Sequence, residues 1–440
     1  MVGVLMAFAM LSYLDRLLLA IQLEPIKRAL SLTDLQMGLL LGPAFAISFA
    51  LFGLPFGWAA DRLSRRWVVF VGVATWSIAT VLCGFATSFP ALFISRVAVG
   101  VGEAALVPAA YSLIADRFPP ARLTTANSLF AAGPTWGQAA AYAIGGAAVA
   151  FAGVLTRSGL PIVSAMTPWQ ITFIEIGLPG GLLAFLALSF AEPPRRAAPL
   201  LAAQNQAASI ELLPFLRSQT SLLSLLAVGF TLMCVVMQAC LTWVPAVMTR
   251  LYGWSPARFG PVLSLVSAFA ALFLVAHAAV VDRLFARGMR DCHIRYCSWL
   301  LMAACPLALV VFMLPAPGLF LAGLTVLEVL VFPFMLFLTA TIQLIVPNQL
   351  RGRVTAVFVF FLSFAGFGFG PLAVGSLTQL VFKDPGQVGK ALALVACGGC
   401  LGALIALRAA LAPLRRLIAG QDPLGAPPPS AVGGVLTNTA

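Results

Sequence analysis

The chain has 440 residues, of which 61% are hydrophobic and only 9% charged, with a mean hydropathy of +1.02 and a formal net charge of +12. A water-soluble domain carries roughly a quarter charged residues to cover its surface, so this composition excludes one and makes lipid the solvent. The basic residues sit in short clusters between long apolar runs, without a basic face interleaved with aromatics, which excludes nucleic acid as a partner.

A membrane-crossing helix needs about 20 apolar residues, and only helices or closed barrels satisfy their backbone in hydrocarbon. The runs here are long and do not alternate. They predict helices over 2–23, 35–59, 67–88, 90–115, 123–151, 169–190, 219–249, 258–281, 292–313, 317–346, 354–381 and 387–411. The first run lacks a basic leader and a small-residue cleavage site and contains Asp15 and Arg16, so it reads as a span and not a signal peptide. The segment 191–217 is the longest polar connector, and beyond 411 the chain turns rich in Pro, Gly and Ala. The expected organisation is an all-α membrane protein: a six-helix bundle (1–190), a cytoplasmic linker (191–217), a second six-helix bundle (218–411) and a disordered cytoplasmic tail (412–440).

Weak internal likeness supports two pseudo-symmetric halves. The second run ends in Asp61-Arg62-Leu63-Ser64-Arg65-Arg66 and the eighth in Asp282-Arg283-Leu284-Phe285-Ala286-Arg287. The fifth holds Gly133-Pro134 and the eleventh Gly370-Pro371. Such repeats commonly enclose a binding site at the midplane and work by rocking of one half on the other. Lys and Arg number seventeen in the even loops, linker and C-terminal end against seven in the odd loops, which puts both termini in the cytoplasm. Three lysines against twenty-three arginines suggest a bacterial inner membrane. The eight cysteines fall almost wholly within apolar runs and there are two histidines, so no metal site is expected, and no cofactor apart from protons as a coupling ion. A nucleophile–base pair and an ATP-binding loop are likewise missing from the pattern, which argues against an enzyme. A monomer is expected.

Three motifs resemble the major facilitator superfamily: Gly57-Trp58-Ala59-Ala60-Asp61-Arg62-Leu63-Ser64-Arg65-Arg66, with Ser64 where the family usually has Gly; Arg96-Val97-Ala98-Val99-Gly100-Val101-Gly102-Glu103; and Gly133-Pro134-Thr135-Trp136-Gly137. The stretches 12–40, 60–66 and 100–130 further resemble Spinster-type transporters, whose characterised members move lysophospholipids and sphingosine-1-phosphate. A Tyr-x-Asp-Arg in the first helix, here Tyr13 to Arg16, also occurs in organic-anion symporters of the superfamily. The resemblance implies the major facilitator fold, with the first and fourth helices lining a central cavity.

Ionisable groups within spans cost several kcal/mol and are functional candidates by default. Asp15 and Arg16 lie in the first helix. Arg96 and Glu103 lie in the fourth, two turns apart on one face. Depth estimates let the four share one cluster that is neutral when ionised. Protonation would free an Arg fork to grip a phosphate or carboxylate, a device for coupling proton and anion; the alternative is a static tie between two helices. Glu328, mid-helix in the second half, is a further candidate. Glu175 reads as reaching the interface and His277 as structural. Asp61, Arg62, Arg65 and Arg66 are expected to latch the inner gate, Asp61 accepting hydrogen bonds from a neighbouring helix end. Gly133 and Pro134 are expected to allow bending and close contact. The Phe-rich stretches 318–340 and 357–370 offer an aromatic wall for an acyl chain, or simply face lipid. The expected activity is therefore proton-coupled transport of an amphiphilic, anionic, lysolipid-like solute. A small organic-anion symporter and a drug/proton antiporter are alternatives, as are a lipid scramblase and a receptor.

Overall fold

The structure, a computed structural model, describes residues 1–158, 164–195, 212–347 and 349–421. Among these residues every regular element is helical. Twelve helical segments are long and apolar enough to cross a membrane: α1 (Val2–Ile21), α2 (Asp34–Arg62), α3 (Arg65–Gly84), α4 (Phe89–Arg117), α5 (Thr125–Leu155), α6 (Pro168–Leu188), α7 (Thr220–Arg250), α8 (Pro256–Ala286), α9 (Cys292–Val311), α10 (Pro317–Ile345), α11 (Arg351–Phe382) and α12 (Pro385–Ala419).

Each half packs internally, α1 on α5 and α3 on α4 and α6 in the first, α7 on α12 and α9 on α12 in the second. The halves meet through α5 against α8, α2 against α11, and α1 against α7. These pairings are related by the exchange of the two halves. The N-terminal part of α2 comes very close to α11: a Cβ added at Gly38 would stand 2.9 Å from the Pro371 carbonyl oxygen. A larger residue there would force the two helices apart.

Proline explains where three spans break. A proline removes the N–H that would bond the carbonyl four residues earlier, and its ring crowds that carbonyl. In α2 the break is at Gly42, before Pro43. In α4 the helix is interrupted at Ala104 and Ala105, where Pro108 withdraws the donor for Ala104. In α10 it falls at Phe332 and Pro333, which orphans the carbonyl of Val329. His277 of α8 supplies the missing donor, its Nε2 lying 3.1 Å from that carbonyl oxygen. Because a carbonyl only accepts, Nε2 carries the proton, and Nδ1 accepts from the Tyr296 hydroxyl at 2.9 Å. Pro134, by contrast, sits inside an unbroken helix, Pro120–Leu155. In α11 two π-helical stretches, Leu362–Phe367 and Leu377–Phe382, flank Gly368–Ser376.

The chain departs from the expected boundaries at the C-terminal end. The last helix runs from Val388 to Gln421, through Pro413, so residues 412–421 are helical and not part of a disordered tail. Leu414 continues the buried face of that helix at 1% exposed. The rest of the expected tail, 422–440, lies outside the described residues. So does most of the linker: residues 191–195 are irregular and Leu212–Ser218 forms a short helix.

Candidate functional site

The break in α4 falls immediately after Glu103. Glu103 is the last residue of the first α4 segment and is 2% exposed. Its Oε2 accepts from Arg16 Nε at 2.6 Å, and Arg16 NH2 lies 2.6 Å from the same oxygen. Four rings surround the guanidinium, those of Tyr13, Phe45, Phe49 and Phe367, with centroids 5.0, 4.4, 5.1 and 5.6 Å from its central carbon. Phe367 comes from the opposite bundle, at the end of the first π-helical stretch of α11. It also packs on Phe45 and Phe49, at 6.5 and 6.4 Å. Ring faces stabilise a desolvated cation by about 0.5–2 kcal/mol each, so the cage favours a charged Arg16 whether or not Glu103 is ionised.

Asp15 and Arg96 are each 1% exposed and adjoin this pair. Arg96 does not reach the Asp15 carboxylate. Its NH1 donates to the Asp15 backbone carbonyl at 3.3 Å. Both carboxylate oxygens of Asp15, Oε1 of Glu103 and Nε of Arg96 are buried without a hydrogen-bond partner among the described residues. So are Trp76 Nε1, Ser77 Oγ and Thr80 Oγ1 of α3, two of which, Trp76 and Thr80, face Asp15. The four charges expected to cluster are thus brought together, but as one tight pair beside two groups with unspent hydrogen-bonding capacity.

Glu328 stands apart, in α10. One of its oxygens is buried and unpartnered. It lines a cavity of about 20 Å³ with Gln138 of α5 and Cys240 and Leu241 of α7, room for about one water. Around it the halves are joined by Gln138 donating to Ser267 at 3.4 Å and Tyr142 donating to the Leu241 carbonyl at 2.8 Å.

Of the residues expected at the gate, Asp61 and Arg62 are exposed, and Arg62 lies over the Trp58 ring at 4.7 Å. No hydrogen bond or ion pair of the Asp61 side chain is present among the described residues, so the latch is not engaged here. Arg66 is half-buried with its Nε unpartnered. Arg65 is the anchored member, 2% exposed. It bonds Asp116, Ser112 at 3.2 Å, the Pro193 carbonyl at 2.8 Å and Glu192 at 3.1 Å. Glu192 also accepts from the Arg65 amide at 2.8 Å and from the Ser64 hydroxyl. Burial works against the Glu192 charge, but donation from Ser64, the Arg65 amide and the Arg65 guanidinium outweighs it and holds the carboxyl below its ordinary range. Arg195 then caps α2, donating to the carbonyls of Ala60 and Leu63 at 3.1 and 2.7 Å. Gly133 packs α5 on α1, where an added Cβ would stand 2.9 Å from that of Ala9.

Sequence reasoning missed a network at the other end. Arg250, closing α7, bonds Asp34 through NH1 and NH2 at 2.9 and 2.6 Å and Glu24 through Nε at 2.5 Å. Lys27 adds a contact to Asp34 at 2.5 Å, and Arg250 NH1 also reaches the Pro385 carbonyl at 3.1 Å. Asp34 is fully buried. The Arg250 pairs cross between the halves, whereas Lys27–Asp34 stays within the first, and the ion pairs described at the linker end stay within one half or join the first half to the start of the linker. The signal was available: Glu24, Lys27 and Asp34 fall within eleven residues of a chain with few charges.

Over residues 5–371 the sequence matches the Major Facilitator Superfamily. The chain belongs to that superfamily. Its fold is that of a bacterial homolog to the human lysosomal transporter Spinster, crystallised in inward-facing, unoccupied form: the TM-score is 0.75 at 23% identity, over 95% of each chain. An MFS-type efflux pump of Mycolicibacterium smegmatis is 29% identical over 90% of this chain and 88% of its own length. Protein spinster homolog 1 of Xenopus laevis is 31% identical over 55% of this chain and 44% of its own. A D-galactonate transporter of Escherichia coli is 28% identical over 42% of this chain and 39% of its own. The chain is a multi-pass membrane transporter of this superfamily, whose members are not enzymes.

Proposed function

We propose that this superfamily member is a proton-coupled secondary transporter that carries an amphiphilic, anionic, lysolipid-like solute by alternating access. The observation that supports it most is the Arg16–Glu103 pair inside an aromatic cage built from both halves. An anion that takes Arg16 from Glu103 leaves a buried carboxylate unpaired, at a cost of about 3–5 kcal/mol. Taking up a proton removes that cost. Anion and proton therefore bind best together, by a coupling that is reciprocal. Rings from α2 and α11 beside the cationic head suit an apolar tail next to an anionic group.

The Arg250 network closes the end opposite the linker, and this supports an inward-facing state in which solute exchanges on the linker side. The excess of Arg around the linker supports a cytoplasmic placement of both termini in a bacterial inner membrane; a reporter fused to the C-terminus should be active in the cytoplasm, and periplasmic activity would refute the orientation.

Small organic anions are the second reading, favoured by the likeness to a D-galactonate transporter and by Arg16 already holding a carboxylate oxygen, that of Glu103, through two nitrogens. Ligand affinity measured against pH for wild type and Glu103→Gln tests the coupling. A lysophospholipid, a sugar acid and a neutral lysolipid analogue serve as ligands. The proposal requires affinity for anions to rise as pH falls from about 8 to 5 in wild type and to be flat in the variant. A flat wild-type profile overturns the coupling, and preference for the sugar acid overturns the lipid substrate.

A further inference from the structure

The linker-side end of the second half carries a basic cleft that the transport reading does not use. Its volume is about 510 Å³, and its lining includes Arg287, Arg290, Asp291, Arg295 and Arg415, from the α8–α9 turn, the start of α9 and the end of α12. Asp291, 5% exposed, accepts from Arg295 at 2.9 Å and from Arg415 at 2.6 Å. Four arginines against that one aspartate leave a formal charge of +3. Arg287 and Arg290 are exposed, and the contact described for Arg290 is the Phe285 ring at 5.1 Å. Asp282, on the last turns of α8, faces His293 instead.

A second observation lies along the same face of α12. Arg408 precedes Arg415 by seven residues, so it lies on the same face of α12 and about 10 Å deeper in the membrane. It is exposed, and NH2 lies 2.9 Å from Met302 Sδ of α9. A thioether is a weak acceptor and leaves the charge uncompensated. A guanidinium on the outer face of a spanning helix is costly without a counter-charge. Around and below it the lipid-facing surface of α9 and α12 is apolar, with Trp299, Met302, Leu401 and Ile405 from 42 to 62% exposed.

We infer that this cleft and the adjoining faces of α9 and α12 bind an anionic phospholipid of the linker-side leaflet, with its phosphate held by the cleft arginines and Arg408 and its acyl chains along α9 and α12. A soluble phosphate would satisfy the cleft but not Arg408, which sits within the apolar span; only a phosphate tethered to hydrocarbon reaches both. Basic clusters at this level contribute about 1 kcal/mol per arginine to binding anionic headgroups, or roughly fivefold in affinity.

The test uses the full-length protein in detergent, titrated with phosphatidylglycerol, cardiolipin, phosphatidylcholine or glycerol phosphate, with thermal unfolding and native mass spectrometry as readouts. Phosphatidylglycerol and cardiolipin should raise the unfolding temperature and stay bound, while phosphatidylcholine and glycerol phosphate should do neither. The double variant Arg287→Gln/Arg408→Gln breaks no ion pair described here and should weaken the anionic lipids by roughly 25-fold. Arg353→Gln, which removes a charge at the same end outside the cleft, should leave them unchanged. Equal stabilisation by phosphatidylcholine or glycerol phosphate overturns the proposal. So does an equal loss in Arg353→Gln and the double variant, since that is a response to overall charge. An unchanged affinity in the double variant overturns it as well.

Discussion

Arg16 holds Glu103 through two nitrogens on a single carboxylate oxygen, at 2.6 Å each, and leaves Oε1 of that carboxylate buried and unpartnered. The pair ties α1 to the break in α4, so any change in its partnership is felt at a point where the helix is already discontinuous. Neutralising Glu103 removes its negative charge and so weakens its hold on Arg16, but leaves the aromatic cage around the guanidinium. Glu103→Gln should therefore keep or strengthen anion binding while abolishing the pH dependence of uptake. Arg16→Ala should weaken an anionic ligand by roughly 10- to 100-fold, the loss expected for about 1.5–3 kcal/mol of charge-assisted hydrogen bonding, and affect a neutral analogue far less. Binding assays with matched charged and neutral ligands check both outcomes, and equal losses for the two ligands would make the pair a static tie.

The closed end makes a separate prediction. Asp34 is fully buried and receives Arg250 in a fork, with Lys27 beside it. Truncating Arg250 leaves that carboxylate with one cation, and breaking a buried pair costs about 3–5 kcal/mol. Because Arg250 belongs to the second half and Asp34 to the first, the cost falls on the closed state alone. Arg250→Ala should shift the population toward opening at that end. Spin labels placed across α2 and α7 should report a longer distance, with unchanged distances as the contrary result.

Glu192 sets a pH window. Its carboxyl is held below the ordinary range in the folded chain, against about 4.3 when unfolded. A depressed value adds stability that is fully present above the unfolded value and lost as pH falls through the folded one. The clamp on Ser64 and Arg65 should thus be constant from pH 5 to 8 and weaken only in stronger acid. Glu192→Gln should lower the unfolding temperature by roughly 2–4 °C, for about 1 kcal/mol after discounting for solvent screening. The difference from wild type should begin to shrink as pH falls below about 4.3 and vanish only once pH lies below the depressed value of the folded carboxyl. A difference that grows in acid would contradict the assignment.

Much of the architecture was legible because lipid leaves so few options: apolar run length located twelve spans. Charges inside those runs located Asp15, Arg16, Arg96 and Glu103, since each is costly there without a reason. The partnerships were not legible. Depth along a helix puts Arg96 near Asp15 but does not say that it would bond the backbone carbonyl and not the carboxylate. The aromatic wall shows the same limit. Phe360, Phe361, Phe364 and Phe369 are exposed while Phe367 turns onto Arg16, and composition does not separate them. The network around Arg250 joins residues over two hundred positions apart, and those charges look like ordinary loop signals until the fold brings them together. The end of α12 was misjudged because a Pro- and Ala-rich stretch reads as disorder, yet Leu411 and Leu414 keep the buried face of the helix through Pro413.

The last prediction concerns Asp61. It is exposed at the end of α2, unpaired among the described residues, while the adjoining Arg65 is anchored to Asp116 and Glu192 and Arg195 occupies the last carbonyls of α2. This clamp holds the loop in place without any contribution from Asp61, so Asp61 is free to meet a donor from the opposite half when the linker side closes. Removing its charge should leave the present state, and ligand binding to it, unaltered. Closure of the linker side should lose one charge-assisted contact, about 1.5–3 kcal/mol. Asp61→Asn should therefore lower the transport rate by roughly 10- to 100-fold, with little change in affinity or unfolding temperature. Cysteine cross-linking across the linker-side gate should fall in parallel with transport. If binding is lost while cross-linking persists, Asp61 acts at the site and not at the gate. If Arg65→Gln reproduces the phenotype without loss of stability, the clamp and not Asp61 is the latch.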